Sequence, residues 1–442
     1  MMFLAQSATR NVGLVILAIV LIGFLVYLLF NLLESRDEVG SEIELAANRK
    51  PYHDDDILET TMLDRSLMSA LALLAIIGLA LPLYWLGEPG RQEGYVDNTL
   101  ELWTEDGAEA FEENCSSCHG GGGAGGIAPY ALTAQGSGEF VASVDWVAPS
   151  LTSVLSRFTE DEVRYILNYG RNGVMPAWGA PGGGPLTEQQ IDIIIVYLRS
   201  VQKDSDAVQA AVQDGLIEEG RLELAGKETP ELVSQLEDAK RALASATQTG
   251  LSSQIDPAQA MVSAANLALG NAYPTETVAA WVAEISDPDH AEYLTYGKLL
   301  FVNRADSGAY SCARCHTSGW SFDGANDRDI EGNPVTQLPD GSPGYLQGGG
   351  WFGPNISGGS EIAQFPDFDS HVDFIRKGSV DGERYGVAGQ GSGQMPGFST
   401  RTDDDIIEKV DEDGVTVERE KTWPASLTED QIQAVVAYAR SL

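Results

Sequence analysis

The cysteines constrain this chain more than any other feature of its sequence. There are only four in 442 residues, and all of them fall in two copies of one pattern, C-x-x-C-H, at residues 115–119 and 312–316. This pattern is the attachment signal of c-type haem, in which two thiols bond to the haem vinyl groups and the histidine ligates the iron. The sequence therefore predicts two covalently attached haem c groups. The residues predicted to hold them are Cys115, Cys118, His119, Cys312, Cys315 and His316.

Three other uses of cysteine pairs fit this sequence less well. A four-cysteine zinc site expects its two pairs roughly 15–20 residues apart, whereas here the first pair ends at Cys118 and the second begins at Cys312. Thioredoxin-type chemistry requires neither a histidine after the cysteine pair nor a second copy of it. A disulfide between two such close cysteines would constrain little of the chain.

Two methionines lie in a sequence context that the other methionines do not share. Met175, in NGVMPAW, and Met395, in GSGQMPGF, each precede a proline in a glycine-rich stretch that follows a C-x-x-C-H motif. In the first half this stretch lies between helix-like runs at 159–169 and 186–201. Because methionine is a common sixth ligand of c-type haem iron, we expect both as axial ligands, with His371 as a competitor for Met395. The alternative is a methionine that fills a gap under a loop.

Each half of the chain resembles a class I cytochrome c domain, over residues 103–203 and 288–442. That family has a helix with a glycine and an aromatic residue before C-x-x-C-H, and a final helix with another aromatic residue. It also has a proline whose carbonyl oxygen accepts a hydrogen bond from the ligand histidine, which would fix the imidazole orientation. The matching residues are Gly107, Phe111, Pro149 and Tyr197 in the first half, and Gly297, Phe301, Pro354 and Tyr438 in the second. The alternative for each proline is an ordinary turn.

The second half departs from the family pattern. The segment VNRADSGAYS lengthens the gap between Phe301 and Cys312, and a long stretch at 320–352 follows the motif. The run KVDEDGVTVEREKTW before the last helix predicts a β-hairpin around Asp413-Gly414. In the first half, GGGGAGG at 120–126 follows a haem motif rather than a strand, so it predicts flexible chain and not a phosphate loop.

Two uncharged apolar runs near the N-terminus predict a membrane anchor of two helices, at 12–33 and 66–87. The first lacks a small-residue cleavage site and is too long for the apolar core of a signal peptide. Most basic residues near the two runs lie between them, at Arg36, Arg49, Lys50 and Arg65. The positive-inside rule therefore places 34–65 in the cytoplasm and both ends outside the bacterial cytoplasmic membrane.

The expected fold is mainly α: two transmembrane helices, then two cytochrome c-like domains joined by a helical connector. The predicted boundaries are an outer segment 1–11, helices 12–33 and 66–87, a cytoplasmic connector 34–65, haem domains 88–203 and 288–442, and a helical connector 204–287. Within the last, Thr229 is a predicted N-cap and Pro230 the first helical residue. The residues Leu232, Leu236, Ala239 and Leu243 share one helical face. We expect this face to pack within the protein or against a partner subunit.

The net charge of −38 argues against nucleic acid as a partner. It suits docking of a basic redox protein, and the alternative is that acidity is a general property of the exported proteins of the source organism. The resemblance implies a membrane-anchored dihaem cytochrome c that relays single electrons outside the membrane. Such a protein would belong to a respiratory complex or supercomplex between a quinol-oxidising complex and a terminal oxidase. One alternative is the dihaem subunit of a cbb3-like oxidase, although the long connector fits that less well. Another is a dihaem peroxidase, which requires an iron with an open position. Subunit II of a caa3-type oxidase would need further cysteines for copper.

Overall fold

The structure is a computed structural model, and it describes residues 2–34, 59–60, 62–133, 140–322, 346–410 and 416–442. The chain divides into two compact units. One comprises Met1–Thr99 with Ile407–Arg419, and the other comprises Leu100–Ile406 with Glu420–Leu442. Both C-x-x-C-H motifs lie in the second unit. The contacts between the two haem-motif halves described below are therefore contacts within that unit.

Two long helices begin the chain, α1 Met2–Glu34 and α2 Leu63–Asn114. Within the described ranges, α2 is the one helix long and apolar enough to cross a membrane, by length and composition, and α1 contains a shorter apolar stretch, Leu17–Leu33. None of the apolar window of α2 is buried, so its side chains are free to face lipid. This supports a membrane anchor. The span at 12–33 remains a prediction, and the expected cytoplasmic connector lies largely outside the described residues.

Helix α2 is longer than the span predicted at 66–87. It continues without interruption to Asn114, directly before Cys115, so the segment that carries Gly107 and Phe111 is its last part. Pro89 and several glycines lie in this continuation, so helix propensity does not account for it.

The first haem-motif half follows α2. Its elements are α3 Ser116–His119, β1 Gly126–Thr133, β2 Phe140–Ala148, α4 Glu160–Tyr169 and α5 Glu188–Ser200. Strands β1 and β2 form an antiparallel hairpin in which Gly126 faces Ala148 and Leu132 faces Ala142. The sequence did not predict this hairpin, and the glycine run expected to be flexible instead forms a short 3-10 turn at Gly121–Gly123.

Three helices that flank the methionine loops begin with reciprocal capping. In α4, α5 and α15, a threonine side chain accepts from the backbone of the third helical residue, whose own side chain accepts from the threonine N–H. The three boxes are Thr159 with Glu162, Thr187 with Gln190, and Thr428 with Gln431. This pattern satisfies two N–H groups at each helix start. The helices predicted at 159–169 and 186–201 are therefore confirmed.

The connector is helical, as predicted. It comprises α6 Ser205–Glu228, α7 Pro230–Thr249, α8 Ser252–Ala272 and α9 Thr275–Ile285. Pro230 does begin α7, although the Thr229 hydroxyl hydrogen-bonds to Tyr273 at 3.0 Å rather than capping the helix. On the predicted apolar face, Leu236 and Ala239 are buried against the rest of the chain. That face therefore packs within this protein.

The second haem-motif half contains α10 Tyr293–Phe301, α11 Ala305–Gly308, α12 Ala313–His316, α13 Ser360–Gln364, α14 Phe368–Lys377 and α15 Glu429–Ala439. It also contains the two-residue strands β3 Arg384–Tyr385 and β4 Gly389–Gln390. Strands β5 Arg401–Val410 and β6 Thr416–Trp423 pair in a two-stranded sheet. This confirms the predicted hairpin, while its turn around Asp413-Gly414 lies outside the described residues.

The helix before each motif packs on the helix that ends the same half. In the first half, Phe111 of α2 contacts Tyr197 of α5, with ring centroids 5.2 Å apart. In the second half, Phe301 of α10 contacts Tyr438 of α15 at 5.5 Å. The two halves therefore repeat this aromatic contact, although Cys115 follows Phe111 by four residues and Cys312 follows Phe301 by eleven.

Candidate haem centres

Each C-x-x-C-H motif forms a single helical turn. The His119 N–H donates to the Cys115 carbonyl at 2.9 Å, and the His316 N–H donates to the Cys312 carbonyl at 3.0 Å. This turn places the first cysteine and the histidine of each motif next to each other. All four thiols are free, so no disulfide competes for them.

In the first centre, His119 is oriented by Pro149. Its Nδ1 lies 2.9 Å from the Pro149 carbonyl oxygen. Burial lowers the pKa of His119, which favours the neutral ring. Since a carbonyl oxygen only accepts hydrogen bonds, Nδ1 carries the proton of that neutral ring. The lone pair is then on Nε2, the nitrogen that would bind a metal.

The second centre repeats this geometry. The His316 Nδ1 lies 2.9 Å from the Pro354 carbonyl oxygen, and burial again lowers the pKa of the ring. Gly353 lies against the face of the imidazole, because a β-carbon at that position would come within 2.8 Å of His316 Cε1. The Gly353 N–H also donates to the Cys315 carbonyl at 2.8 Å, which fixes the proline loop against the motif.

Met175 lies in a loop that folds back on the end of α4. Gly170 ends that helix with a φ of 75°, and a β-carbon there would lie 2.3 Å from the Met175 carbonyl oxygen. Arg171 and Met175 exchange two backbone hydrogen bonds, of 2.9 and 3.1 Å. The positive φ and the close approach both require glycine, so the position of Met175 is set by the end of the helix.

The loop of Met395 has the same construction on α14. Gly378 has a φ of 76°, and a β-carbon there would lie 2.5 Å from the Met395 carbonyl oxygen. The Ser379 N–H donates to that carbonyl at 2.9 Å, and the Met395 N–H donates to the Ser379 hydroxyl at 3.1 Å. The two methionines thus occupy equivalent positions.

Each methionine packs against the same apolar cluster as the first cysteine of its own motif. Met175 packs against the apolar cluster that contains Cys115 and Phe111. Met395 and Cys312 both pack against another cluster, which contains Leu299. In each half, the methionine and the first cysteine therefore border the same apolar cluster, whereas Cys118 is exposed and Cys315 is half-buried.

His371, the expected competitor of Met395, has a different environment. It is buried on α14, where its Nε2 lies 3.1 Å from Glu361 Oε2. Its ring stacks on Phe365 at a centroid distance of 4.6 Å and an angle of 7°. The nitrogen opposite Glu361, Nδ1, has no hydrogen-bond partner among the described residues. The structure therefore pairs His371 with a carboxylate rather than placing it in a methionine-type loop.

The segment VNRADSGAYS, which lengthens the gap before the second motif, contacts the first half. Within it, Asp306 and Ser307 adopt positive φ values of 50° and 54°. The Asp306 carbonyl accepts from the Ser150 N–H of the first half at 3.0 Å. Its carboxylate binds Lys203 at 2.5 Å. This contact was not expected from the sequence, because nothing local marks the partner residues.

Of the arginines that cross between the halves, two lie beside the candidate centres. Arg314, inside the second motif, donates to the Val147 carbonyl at 2.8 Å. Arg171, beside the first methionine loop, donates to the Gln394 carbonyl at 2.6 Å. Sequence reasoning missed both residues. The sequence does show Arg314 between the two cysteines of the second motif, but only the fold shows its contact with Val147.

Comparison with known protein families gives a match over the part of the chain that contains the first centre. Residues 104–198 match the family described as cytochrome c oxidase, cbb3-type, subunit III. This segment is a cytochrome c family domain. The cytochrome c domain therefore implies covalently bound haem c, and the free thiols, neutral histidine and oriented Nε2 described above fit that group.

The chain is also 28% identical over 171 residues to the Cbb3-type cytochrome c oxidase subunit CcoP of Rhodobacter capsulatus. The similarity covers 38% of this chain and 45% of that protein, so it spans less than half the length of the relative. No solved structure matches the chain at a significant level.

Proposed function

We propose that the chain is a membrane-anchored dihaem cytochrome c that relays single electrons as a subunit of a cbb3-like terminal oxidase. One observation carries this proposal: the two centres are built alike. In each, a C-x-x-C-H histidine directs Nδ1 to a proline carbonyl at 2.9 Å. The second centre thus has the same ligand geometry as the first, which lies in the cytochrome c family domain.

The residues of the chain would hold a haem at each centre. The thioether bonds would come from Cys115 and Cys118 in the first and from Cys312 and Cys315 in the second. When bound, haem iron gains and releases one electron. His119 and His316 would ligate through Nε2, with their tautomers fixed by Pro149 and Pro354.

The methionines favour electron transfer over peroxidase chemistry. A peroxidase needs an iron with a vacant position, whereas Met175 and Met395 lie in equivalent loops, each against an apolar cluster that the first cysteine of its motif also joins. Methionine and histidine together would fill both axial positions and raise the haem potential. A high potential suits transfer toward a terminal oxidase.

The proposed partner follows from the matched family and from the relative, whose name describes an oxidase subunit. This favours the cbb3-like oxidase over the more general respiratory supercomplex. We place the haem centres outside the cytoplasmic membrane, because the basic residues of 34–65 favour a cytoplasmic connector. The acidic chain, at −38, would attract a basic electron donor.

Purification of the native complex in mild detergent tests this function. We expect the chain to co-purify with the catalytic subunit of a terminal oxidase, identified by mass spectrometry. As a control, the same membranes from a strain expressing the chain without residues 1–87 should yield no such complex. Co-purification with a quinol-oxidising complex alone, or hydrogen peroxide turnover by the isolated chain, would contradict the proposal.

A further inference from the structure

A group of aromatic side chains joins the two haem-motif halves next to the first methionine loop. The first half contributes Tyr130 of β1 and Trp146 of β2, and the second half contributes Phe322, Trp351 and Phe352. We call these residues the aromatic bridge. Trp146 and Phe322 are buried, with 6% and 5% of their surfaces exposed, and the other members pack against them in one apolar cluster.

The rings of the bridge are in contact from one half to the other. The Trp146 ring centroid lies 5.3 Å from that of Tyr130 within the first half. It lies 5.5 Å from Phe322 and 5.9 Å from Phe352 of the second half. Aromatic rings at these separations attract each other and bury large apolar areas. Trp146 is therefore the residue through which the second-half rings reach the β1–β2 hairpin.

The first-half end of the bridge supports the loop that carries Met175. The Tyr130 hydroxyl lies 3.5 Å from the Gly173 carbonyl oxygen. Val174 packs against the buried side chains of the same cluster. Gly173 and Val174 are the two residues directly before Met175. Side chains of the second half thus contribute to the position of a predicted sixth ligand in the first half.

A hydrogen bond also links this loop to the second half. Arg171 exchanges backbone hydrogen bonds with Met175, and its guanidinium group donates to the Gln394 carbonyl at 2.6 Å. The same guanidinium lies 4.5 Å from the centroid of the Phe158 ring, a favourable cation–π separation. Phe158 belongs to the apolar cluster against which Met175 packs. The Met175 loop is therefore connected to the second half at two places.

The loop of Met395 is held in a different way. Gln394, which precedes Met395 as Val174 precedes Met175, is exposed rather than packed on the bridge. The N–H of Met395 donates to the Ser379 hydroxyl at 3.1 Å, and its carbonyl accepts from the Ser379 N–H at 2.9 Å. Ser379 occupies the position that Arg171 has in the first half. The side chain at this position therefore braces the methionine of its own loop in the second half, and reaches the other half in the first.

We infer that the second half positions the sixth ligand of the first haem: the aromatic bridge and Arg171 hold the Met175 loop where its thioether can bind the iron. Phe322 is then a positioning residue, because it acts on Met175 through Trp146 and not by contact with the iron. Residues behind a metal ligand orient it and strengthen its bond to the metal. The inference rests on the proposed function, and adds that the two haem domains are not independent modules.

The test is carbon monoxide binding by the reduced full-length chain in detergent. Carbon monoxide competes with methionine for the iron, so its apparent affinity rises as the methionine bond weakens. In Phe322→Leu, which removes the ring but keeps an apolar side chain, we expect the affinity of one haem for carbon monoxide to rise at least about fivefold. One reduction potential should fall, because methionine ligation keeps the potential high.

Double variants identify the affected haem. Met175→Ala opens the first haem outright, so adding Phe322→Leu to it should not increase carbon monoxide binding further. Adding Phe322→Leu to Met395→Ala should raise the affinity of the haem that still has its methionine. The opposite pattern, in which the effect survives Met175→Ala and is lost in Met395→Ala, would overturn the inference.

Trp281→Leu is the matched control. Trp281 is a partly buried aromatic residue on α9 of the connector, where it packs against the cluster that contains Leu299 and lies outside the aromatic bridge. Denaturant unfolding measures how much each substitution destabilises the chain. Trp281→Leu should leave carbon monoxide affinity unchanged at both haems. Equal increases in Trp281→Leu and Phe322→Leu would reduce the bridge to general stabilisation and overturn the inference.

Arg171→Gln tests the second connection without removing a buried ring. It breaks the hydrogen bond to Gln394 and should also raise carbon monoxide affinity at the first haem, while Arg171→Lys keeps a donor and should restore most of the native behaviour. Haem content and Met175→Ala are measured first. Fewer than two haems, or no carbon monoxide binding in Met175→Ala, contradicts the proposed function. Two haems with Met175 ligation, and unchanged affinity in both Phe322→Leu and Arg171→Gln, contradicts only this inference.

Discussion

Gly107 of α2 lies against the backbone of Ile193 in α5, so closely that a β-carbon at Gly107 would come within 2.1 Å of the Ile193 carbonyl oxygen. The second half repeats this contact, where a β-carbon at Gly297 would lie 2.2 Å from the Ala434 carbonyl oxygen. The two helices of each half can therefore approach only through a glycine. This approach fixes how the helix before each C-x-x-C-H motif packs on the last helix of its half.

We expect Gly107→Ala to destabilise the first haem domain by about 1–3 kcal/mol, because the added methyl group forces the two helices apart. The measurement is denaturant unfolding followed by haem absorbance. Gly226→Ala is the control, since Gly226 in α6 has no atom within 4 Å of its β-carbon position. There, better helix propensity should stabilise by up to about 1 kcal/mol. Equal effects of the two substitutions would contradict the packing described above.

The methionine loops lead to a spectroscopic prediction. In Met175→Ala we expect the near-infrared methionine-to-iron band of the oxidised protein to lose roughly half of its intensity, because one of two haems loses its sixth ligand. That haem should bind carbon monoxide and show a lower potential. Stability should fall only modestly, since the ligand comes from a loop. An unchanged band would contradict ligation by Met175.

The second centre is tested in the same way with a different control. Met395→Ala should remove the remaining half of the band, while His371→Ala should leave it intact, because His371 pairs with Glu361 at 3.1 Å. A bis-histidine signal in the native protein that disappears in His371→Ala would assign the ligand to His371 instead.

A buried carboxylate in the connector gives a pH prediction. Burial raises the pKa of Glu219 on α6 from 4.5 to about 7, although Arg304 lies 3.6 Å away. The folded state then holds the proton more tightly than the unfolded state, so this stabilisation is complete below pH 4.5 and is lost as the pH rises through 7.

Glu219→Gln removes that dependence. Unfolding measured from pH 4 to pH 9 should show the variant more stable than the native chain above pH 7, by roughly 1–3 kcal/mol. The difference should shrink as the pH falls and disappear below pH 4.5, where the native carboxyl group becomes protonated in both states. A constant difference across this range would show that Glu219 is not titrating in the folded protein.

The predicted topology is open to a protease test. With the outer barrier removed from intact cells, added protease should digest epitopes placed within 88–442 and spare one placed within 34–65. Lysed cells provide the control in which both epitopes are lost. Protection of the haem domains would contradict the orientation drawn from the basic residues.

The local features of both centres were predictable from the sequence. A haem motif, a Met-Pro loop and a Thr-x-x-Glu helix start each require residues close together in the chain, so a short pattern identifies them. For the same reason, the helices around Met175 and the β5–β6 hairpin were expected. The hairpin of β1 and β2 was not predicted, although its sequence carried a signal: Val144, Trp146 and Ala148 alternate toward the interior.

The joint between the centres could not be predicted. The Arg171 contact to Gln394 joins residues far apart in the chain, and no local pattern couples them. The turn at Asp306 and Ser307 likewise depends on Ser150, which only the tertiary fold brings near. The end of α2 was missed for another reason: apolar character ends near residue 87, whereas backbone hydrogen bonding continues to Asn114.

Covalent haem content is the most direct measurement. A pyridine haemochrome assay on the denatured, purified chain should give two haems per chain. Cys115→Ala with Cys118→Ala should give one, and the same pair of changes at Cys312 and Cys315 should also give one. A native value of one or none would contradict a dihaem cytochrome c.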